Sequence, residues 1–116
     1  MNFEFSEEQV MLRDSVARYV QDDYDWETRV AIAGSEAGID RAKWQTFAEL
    51  GWLSIPFAEE HGGMGGGALE NLIMMEELGK AIAIEPWLPT VVIGGGALKA
   101  VGGAKAAEVI PQIISG

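Results

Sequence analysis

Cysteine is absent from this chain. Disulfides, thiolate chemistry and cysteine-ligated zinc are excluded with it. Histidine occurs once, at His61, so a metal site built from several imidazoles is excluded as well. Basic residues are scarce: 8 Lys and Arg stand against 18 Asp and Glu, a net charge of −10. Holding phosphates takes clusters of Lys and Arg, so neither nucleic acid nor an anionic membrane is the expected partner. The acidity reads instead as solubility. No apolar run reaches the roughly 20 residues that cross a bilayer. Met1 leads into Asn2-Phe3-Glu4 with neither a basic region nor an apolar leader, and a cytoplasmic location is expected.

What the chain does have is apolar residues, 48% of 116, enough for one domain with a core. Their spacing is helical. Ser6-Glu7-Glu8-Gln9 is a capping box, with Phe5 and Val10 as a hydrophobic staple. It opens a helix from about Ser6 to Gln21 with Val10, Val16, Ala17 and Val20 inward. Asp25 reads as the N-cap of Trp26–Ala33, closed by Gly34, and Asp40 as the N-cap of a helix from Arg41 to Leu50. There Trp44, Phe47 and Leu50 face the core, and Gly51 ends the helix. Trp52–Pro56 is expected to be extended, because a proline pushes the residue before it away from helix. A helix over Ala68–Ala81 is expected to bury Leu72, Met74, Met75, Leu78 and Ala81, with Glu70, Glu76, Glu77 and Lys80 mostly on the other side. After Gly102-Gly103, Ala104–Ile110 forms a short helix and Pro111 begins another turn. No strand and no internal repeat is evident. The expected fold is all-α, an orthogonal or up-and-down bundle of about six helices, in one domain spanning residues 1–116.

The helix expected from Leu88 to Val101 organises the rest. It carries one charge, Lys99, and a helix apolar nearly all round must be buried against other protein. Gly94, Gly95 and Gly96 sit in its middle, at a cost of roughly 2–3 kcal/mol relative to alanine. Two readings offset that cost. Either the glycines let another helix approach closely, or they leave space for a ligand.

The loop Phe57–Gly67 ends with five glycines in six residues. It is not a phosphate-binding loop, since no Lys-Ser/Thr follows it and no strand clearly precedes it. Glu59, Glu60 and His61 could be cast as an acid/base set, but three adjacent loop residues rarely converge on one atom. They read as a solvated turn.

Several pieces together resemble the N-terminal helical domain of the acyl-CoA dehydrogenases. They are Phe5-Ser6-Glu7-Glu8-Gln9, Leu50-Gly51-Trp52-Leu53, Pro56 with Glu59-Glu60-His61-Gly62-Gly63-Met64-Gly65, Glu76-Glu77-Leu78-Gly79, and Ile110-Pro111 followed by Gly116. A narrower resemblance, to the small-subunit pimeloyl-CoA dehydrogenase type, rests on Phe57-Ala58-Glu59-Glu60 and on Glu85–Val92 with the glycine triplet. The resemblance implies a longer three-domain protein of which this is the first part. It implies FAD held between the middle and C-terminal parts. It further implies that a glutamate in the C-terminal part takes the α-proton of an acyl-CoA thioester while the β-hydride passes to the flavin, giving a trans-2-enoyl-CoA. The same resemblance implies that electrons leave to an electron-transfer flavoprotein and that the enzyme is a homo-oligomer or a large/small subunit pair. No catalytic, flavin-binding or metal residue is expected in this segment. What the family draws from it is one wall of the acyl pocket, near Trp87, Thr90, Val91, Gly94 and Gly95, and on this reading Gly95→Leu shifts preference toward shorter chains. The segment alone is expected to be colourless and inactive. Two other readings stay open: a non-catalytic partner subunit of such an enzyme, and an unrelated acidic helical interaction module.

Overall fold

A computed structural model describes the whole chain, Met1–Gly116. It contains six α-helices and no strand: α1 (Glu7–Asp23), α2 (Trp26–Ala33), α3 (Arg41–Glu49), α4 (Ala68–Lys80), α5 (Gly95–Val101) and α6 (Gly103–Ser115). The all-α expectation therefore holds. The helices form a slab of 42 × 39 × 20 Å, about two helix layers thick. No helix is long and apolar enough to cross a membrane.

The N-termini of α1 and α4 are tied by one carboxylate. Ser6 Oγ accepts from the Gln9 N–H at 3.2 Å, while the Ser6 N–H donates to Gln9 Oε1 at 2.9 Å, so the capping box is formed. Gln9 Nε2 then donates to Glu70 Oε1 at 2.8 Å, and the Gly67 N–H donates to Glu70 Oε2 at 2.7 Å. The Gln9 hydrogen bond first, and the Gly67 N–H second, hold the Glu70 carboxyl below the ordinary carboxylate range. From that tie α1 packs along α4.

The core is built where the aromatic residues meet. Phe47 is fully buried, and Tyr19 packs edge-on against it and against Trp52, with ring centroids 5.6 and 5.4 Å apart. Trp44 is half-buried and Leu50 is exposed, so only the centre of the expected α3 stripe reaches the core. The stripe on α4 is rotated from its expected place. Leu72 is 52% exposed, whereas Glu77 is 3% exposed, and the helix buries Ile73, Met74, Glu77 and Leu78. Glu77 tolerates burial because Lys80 Nζ lies 2.6 Å from its Oε1.

Two local expectations give way to packing. Trp52–Ser54 is a 3-10 turn, not extended, and Ile55 stays helical (φ −51°, ψ −52°) in front of Pro56. Trp52, Leu53, Ile55 and Phe57 are all buried, and that burial outweighs the mild preference of a residue preceding proline. Helix α6 runs straight through Pro111. The missing N–H would have served the carbonyl of Ala107, an exposed residue that water can reach. The glycine-rich loop is ordered by its own backbone. The N–H groups of Gly63, Met64, Gly65 and Gly66 donate to the carbonyls of Ala58, Ser54, Phe57 and Ile55 at 2.9, 3.0, 2.8 and 2.7 Å. Backbone lies on backbone here: a Cβ at Gly63 would stand 2.0 Å from the Phe57 carbonyl oxygen, and one at Gly66 would stand 2.8 Å from that of Ile55.

Helix α4 ends in an unusual way. The Ile82 N–H donates to the Gly79 carbonyl at 3.0 Å and the Ala83 N–H to the Leu78 carbonyl at 3.0 Å, the pattern that normally places glycine in the left-handed position. Here Ile82 occupies it, at φ +52°, with its side chain exposed. A β-branched residue is strained there by roughly 1–2 kcal/mol. Replacing it should relieve the strain: Ile82→Gly is expected to raise stability by about 1 kcal/mol in urea denaturation. The Glu70 tie makes a second prediction. A depressed folded-state carboxyl contributes stability above the carboxylate range and loses it as pH falls. Gln9→Ala should therefore destabilise the protein at neutral pH, and its deficit should narrow below about pH 4, as read from urea midpoints across acid pH.

Candidate functional site

The stretch that the sequence singles out begins at a tight turn. Pro86 fixes the backbone between Glu85 and Trp87, and the Trp87 N–H donates to the Glu85 carbonyl at 2.7 Å. The chain then winds as a π-helix over Leu88–Gly94 and tightens into α5 at Gly95. The Gly95 N–H reaches back five residues to the Thr90 carbonyl, the hydrogen bond of the wider helix. The single α-helix expected over Leu88–Val101 is thus two windings joined without a break. Pro89 has no N–H to give to a regular ladder, which accounts for the irregular start. Wide turns of this kind frequently occur at functional sites.

Of the five residues singled out, Trp87, Val91 and Gly95 are buried, and Thr90 and Gly94 are half-buried. They span the start of the π-helix to the first residue of α5, and three of them face inward. Trp87 and Val91 belong to the same core cluster as Phe57, Leu78 and Ala106. The apolar surface of this stretch is carried by its neighbours: Leu88 is 45% exposed and Ile93 is 61% exposed.

The glycine triplet divides three ways. A Cβ on Gly95 would stand 2.5 Å from Phe57 Cζ, so this glycine exists to admit an aromatic ring. A Cβ on Gly94 would meet the Pro89 carbonyl oxygen at 3.2 Å, whereas one on Gly96 would meet nothing within 4 Å. Close approach therefore accounts for the middle glycine. The contact is with a side chain rather than with a second helix. Gly95→Leu would collide with Phe57, which makes it a poor probe of chain length.

Two residues that sequence reasoning did not select stand beside this stretch. Glu85 is 5% exposed, and its Oε2 accepts from the Tyr24 hydroxyl at 2.6 Å. The Ile84 N–H donates to the same hydroxyl oxygen at 3.1 Å. Burial first, and the hydrogen bond to Glu85 second, push the Tyr24 phenol above its ordinary range. The tie joins the end of α1 to the entrance of the π-helix, 61 residues apart. The available signal was one acid placed between apolar residues, Ile84-Glu85-Pro86-Trp87. Its partner could not be read locally.

Elsewhere no acid/base set forms. Glu59 and Glu60 are exposed, and His61 Nε2 lies 3.7 Å from Glu60 Oε1. No group of His, Cys, Asp and Glu is arranged to hold a metal ion. The N–H groups of the glycine-rich loop from Gly63 to Gly66 are already taken by backbone carbonyls, so that loop is not free to cradle a phosphate.

Comparison with known proteins matches this arrangement to one family. The family profile described as "Acyl-CoA dehydrogenase, N-terminal domain" matches residues 6–116. The acyl-CoA dehydrogenase IpdE2 of Mycolicibacterium smegmatis is 37% identical over 86 residues, which are 73% of this chain and 28% of that protein. The mitochondrial isovaleryl-CoA dehydrogenase of Pongo abelii is 34% identical over 76 residues, 66% of this chain and 18% of that protein. Among solved structures, a chain of the Tcur3481–Tcur3483 steroid ACAD variant superposes with a TM-score of 0.87 at 27% identity, covering 95% of this chain and 30% of that one. A chain of the ChsE4–ChsE5 complex from Mycobacterium tuberculosis gives a TM-score of 0.85 at 28% identity, covering 99% and 32%. The chain thus spans less than a third of the length of each of these relatives.

The contrast within the glycine triplet can be measured. Gly95→Ala is expected to cost about 1–3 kcal/mol, because the added methyl overpacks the Phe57 ring. Gly96→Ala should gain up to about 1 kcal/mol from helix propensity alone. Paired urea titrations of the two variants check both signs.

Proposed function

Since this chain belongs to the acyl-CoA dehydrogenase family, as its N-terminal helical domain, we propose that it forms one wall of the acyl pocket of a longer flavin-dependent enzyme, one that desaturates an acyl-CoA thioester to a trans-2-enoyl-CoA. The observation that carries this reading is the split character of the π-helical stretch. Trp87, Val91 and Gly95 anchor it in the core, while Leu88 and Ile93 remain exposed and Thr90 and Gly94 half-exposed. A thin slab that fixes one side of an element and leaves apolar side chains on the other suits a wall that an acyl chain can lie against. The proposed substrate contacts remain Trp87, Thr90, Val91, Gly94 and Gly95, with Thr90 and Gly94 the more accessible.

FAD, when bound in the full-length protein, supplies the acceptor for the β-hydride. The residues of this domain do not fit a flavin cradle, given the engaged N–H groups of the glycine-rich loop, and the cofactor is proposed to rest on the parts beyond this segment. The 116 residues alone are accordingly proposed to be colourless and inactive. An electron-transfer flavoprotein is the proposed electron acceptor, and a homo-oligomer or large/small subunit pair the proposed assembly. The cytoplasm remains the proposed location.

A second reading, a partner subunit that lacks the catalytic base, is favoured by the solved relatives, since both are described as pairs of two different proteins. The family match removes the third reading, an unrelated helical module. Flavin reduction by acyl-CoA in the full-length protein, purified without a second subunit, separates the first two. With that assay in hand, Thr90→Leu should move the preferred acyl chain toward shorter lengths, as kcat/KM across a series of straight-chain acyl-CoAs would record. An unaltered length profile counts against the wall.

A further inference from the structure

Residues 81–87 lead from the end of α4 into the π-helix, and side chains of α1 and α2 grip them. Arg29 of α2 donates through Nε to the Ile82 carbonyl at 3.2 Å. Tyr24, which caps α1, donates to Glu85 Oε2 at 2.6 Å and accepts from the Ile84 N–H at 3.1 Å. Both Tyr24 and Glu85 are buried. The backbone passes this grip onward. The Trp87 N–H donates to the Glu85 carbonyl at 2.7 Å, and the Thr90 N–H donates to the Pro86 carbonyl at 3.1 Å. Thr90, one of the accessible wall positions, is therefore hydrogen-bonded to the residue that follows Glu85.

Stability alone does not account for the tie. Glu85 Oε1 is buried without a partner, and a half-served carboxylate in a core carries a cost that apolar side chains of similar volume avoid. What the pair has and an apolar contact lacks is direction, because a hydrogen bond fixes an angle as well as a distance. It fixes them at the turn from which the wall winds. Tyr24 is itself held in place: Lys43 Nζ of α3 lies 5.5 Å from the centre of its ring and donates to the Asp23 carbonyl at 2.7 Å. The start of the π-helix is thereby referred to α1 and α3, and not only to the end of α4. We propose that Tyr24 and Glu85 are positioning residues for the acyl wall: their hydrogen bond sets where Thr90 stands, and with it the length of acyl chain that the enzyme prefers. This rests on the acyl-wall reading above.

The test uses the full-length protein in the assembly in which it purifies. It reads the ratio of kcat/KM for lauroyl-CoA to that for butyryl-CoA, together with the melting temperature. Tyr24→Phe deletes only the hydroxyl and should change the ratio at least about fivefold, since a single methylene of pocket is worth about tenfold or more. Glu85→Gln keeps an oxygen for Tyr24 and should leave the ratio as in the wild type. The double variant Tyr24→Phe/Glu85→Leu removes both partners, so no carboxylate is left unserved and the melting temperature should recover relative to Tyr24→Phe. The tie is still absent from it, and the altered ratio should persist. If Tyr24→Phe alone does not fold, the double variant decides by the same ratio. A wild-type ratio in Tyr24→Phe, or one that returns with stability in the double variant, overturns the positioning role. So does a ratio displaced as far by Glu85→Gln as by Tyr24→Phe. Thr90→Leu, which acts on the wall directly, separates the two readings. If it moves the ratio and Tyr24→Phe does not, the wall stands and the positioning role falls. If Thr90→Leu leaves the ratio unchanged, or if neither thioester is turned over, the wall falls and takes the positioning role with it.

Discussion

The ring of Phe57 lies against the bare backbone of Gly95, and the rest of this domain is arranged to make that contact possible. Phe57 is fully buried and close enough that any Cβ on Gly95 would overlap its ring. The contact sets how near the stretch from Leu88 to Val101 can come to the core, and therefore which of its side chains are left outside. It also needs Phe57 itself to be held. That is the task of the glycine-rich loop, whose N–H groups from Gly63 to Gly66 close onto the carbonyls of residues 54 to 58. The loop is rich in glycine because two pieces of backbone touch, and at Gly63 and Gly66 a methyl group would not fit.

The same logic relates the buried polar residues to the site. Glu77 and Glu85 are both nearly inaccessible, but they are satisfied differently. Glu77 is served by Lys80 three residues along its own helix, a local solution. Glu85 is served by Tyr24, far away in sequence, and only at one of its two oxygens. A buried carboxylate with one unpartnered oxygen is costly to keep in a core. Glu85 sits at the entrance of the π-helix and lines a groove between α4 and Pro86–Pro89.

Much of the fold could be read from residue order. The capping box at Ser6–Gln9, the aspartate caps before α2 and α3, and the lengths of the first four helices were all legible, because each depends on neighbours within one turn. Local preference failed where burial opposed it. Ile55 is helical before a proline, α6 passes through Pro111, and the α4 stripe is rotated so that Leu72 is exposed and Glu77 is not. Each such preference is worth about a kilocalorie or a few, and a tertiary contact can exceed it.

By itself the sequence determined the absence of cysteine chemistry, the acidic surface, the helical class, the caps, and the ordered motifs that matched the chain to its family. Those are properties of composition or of residues a few positions apart, and any physical reading of the chain recovers them. Only the tertiary structure decided which glycine of the triplet is a packing contact, that Tyr24 meets Glu85, and that one oxygen of Glu85 and the indole nitrogen of Trp87 are buried without a partner. These depend on surfaces brought together from distant parts of the chain, and a pairing across 61 residues leaves no periodic trace in the order of the amino acids.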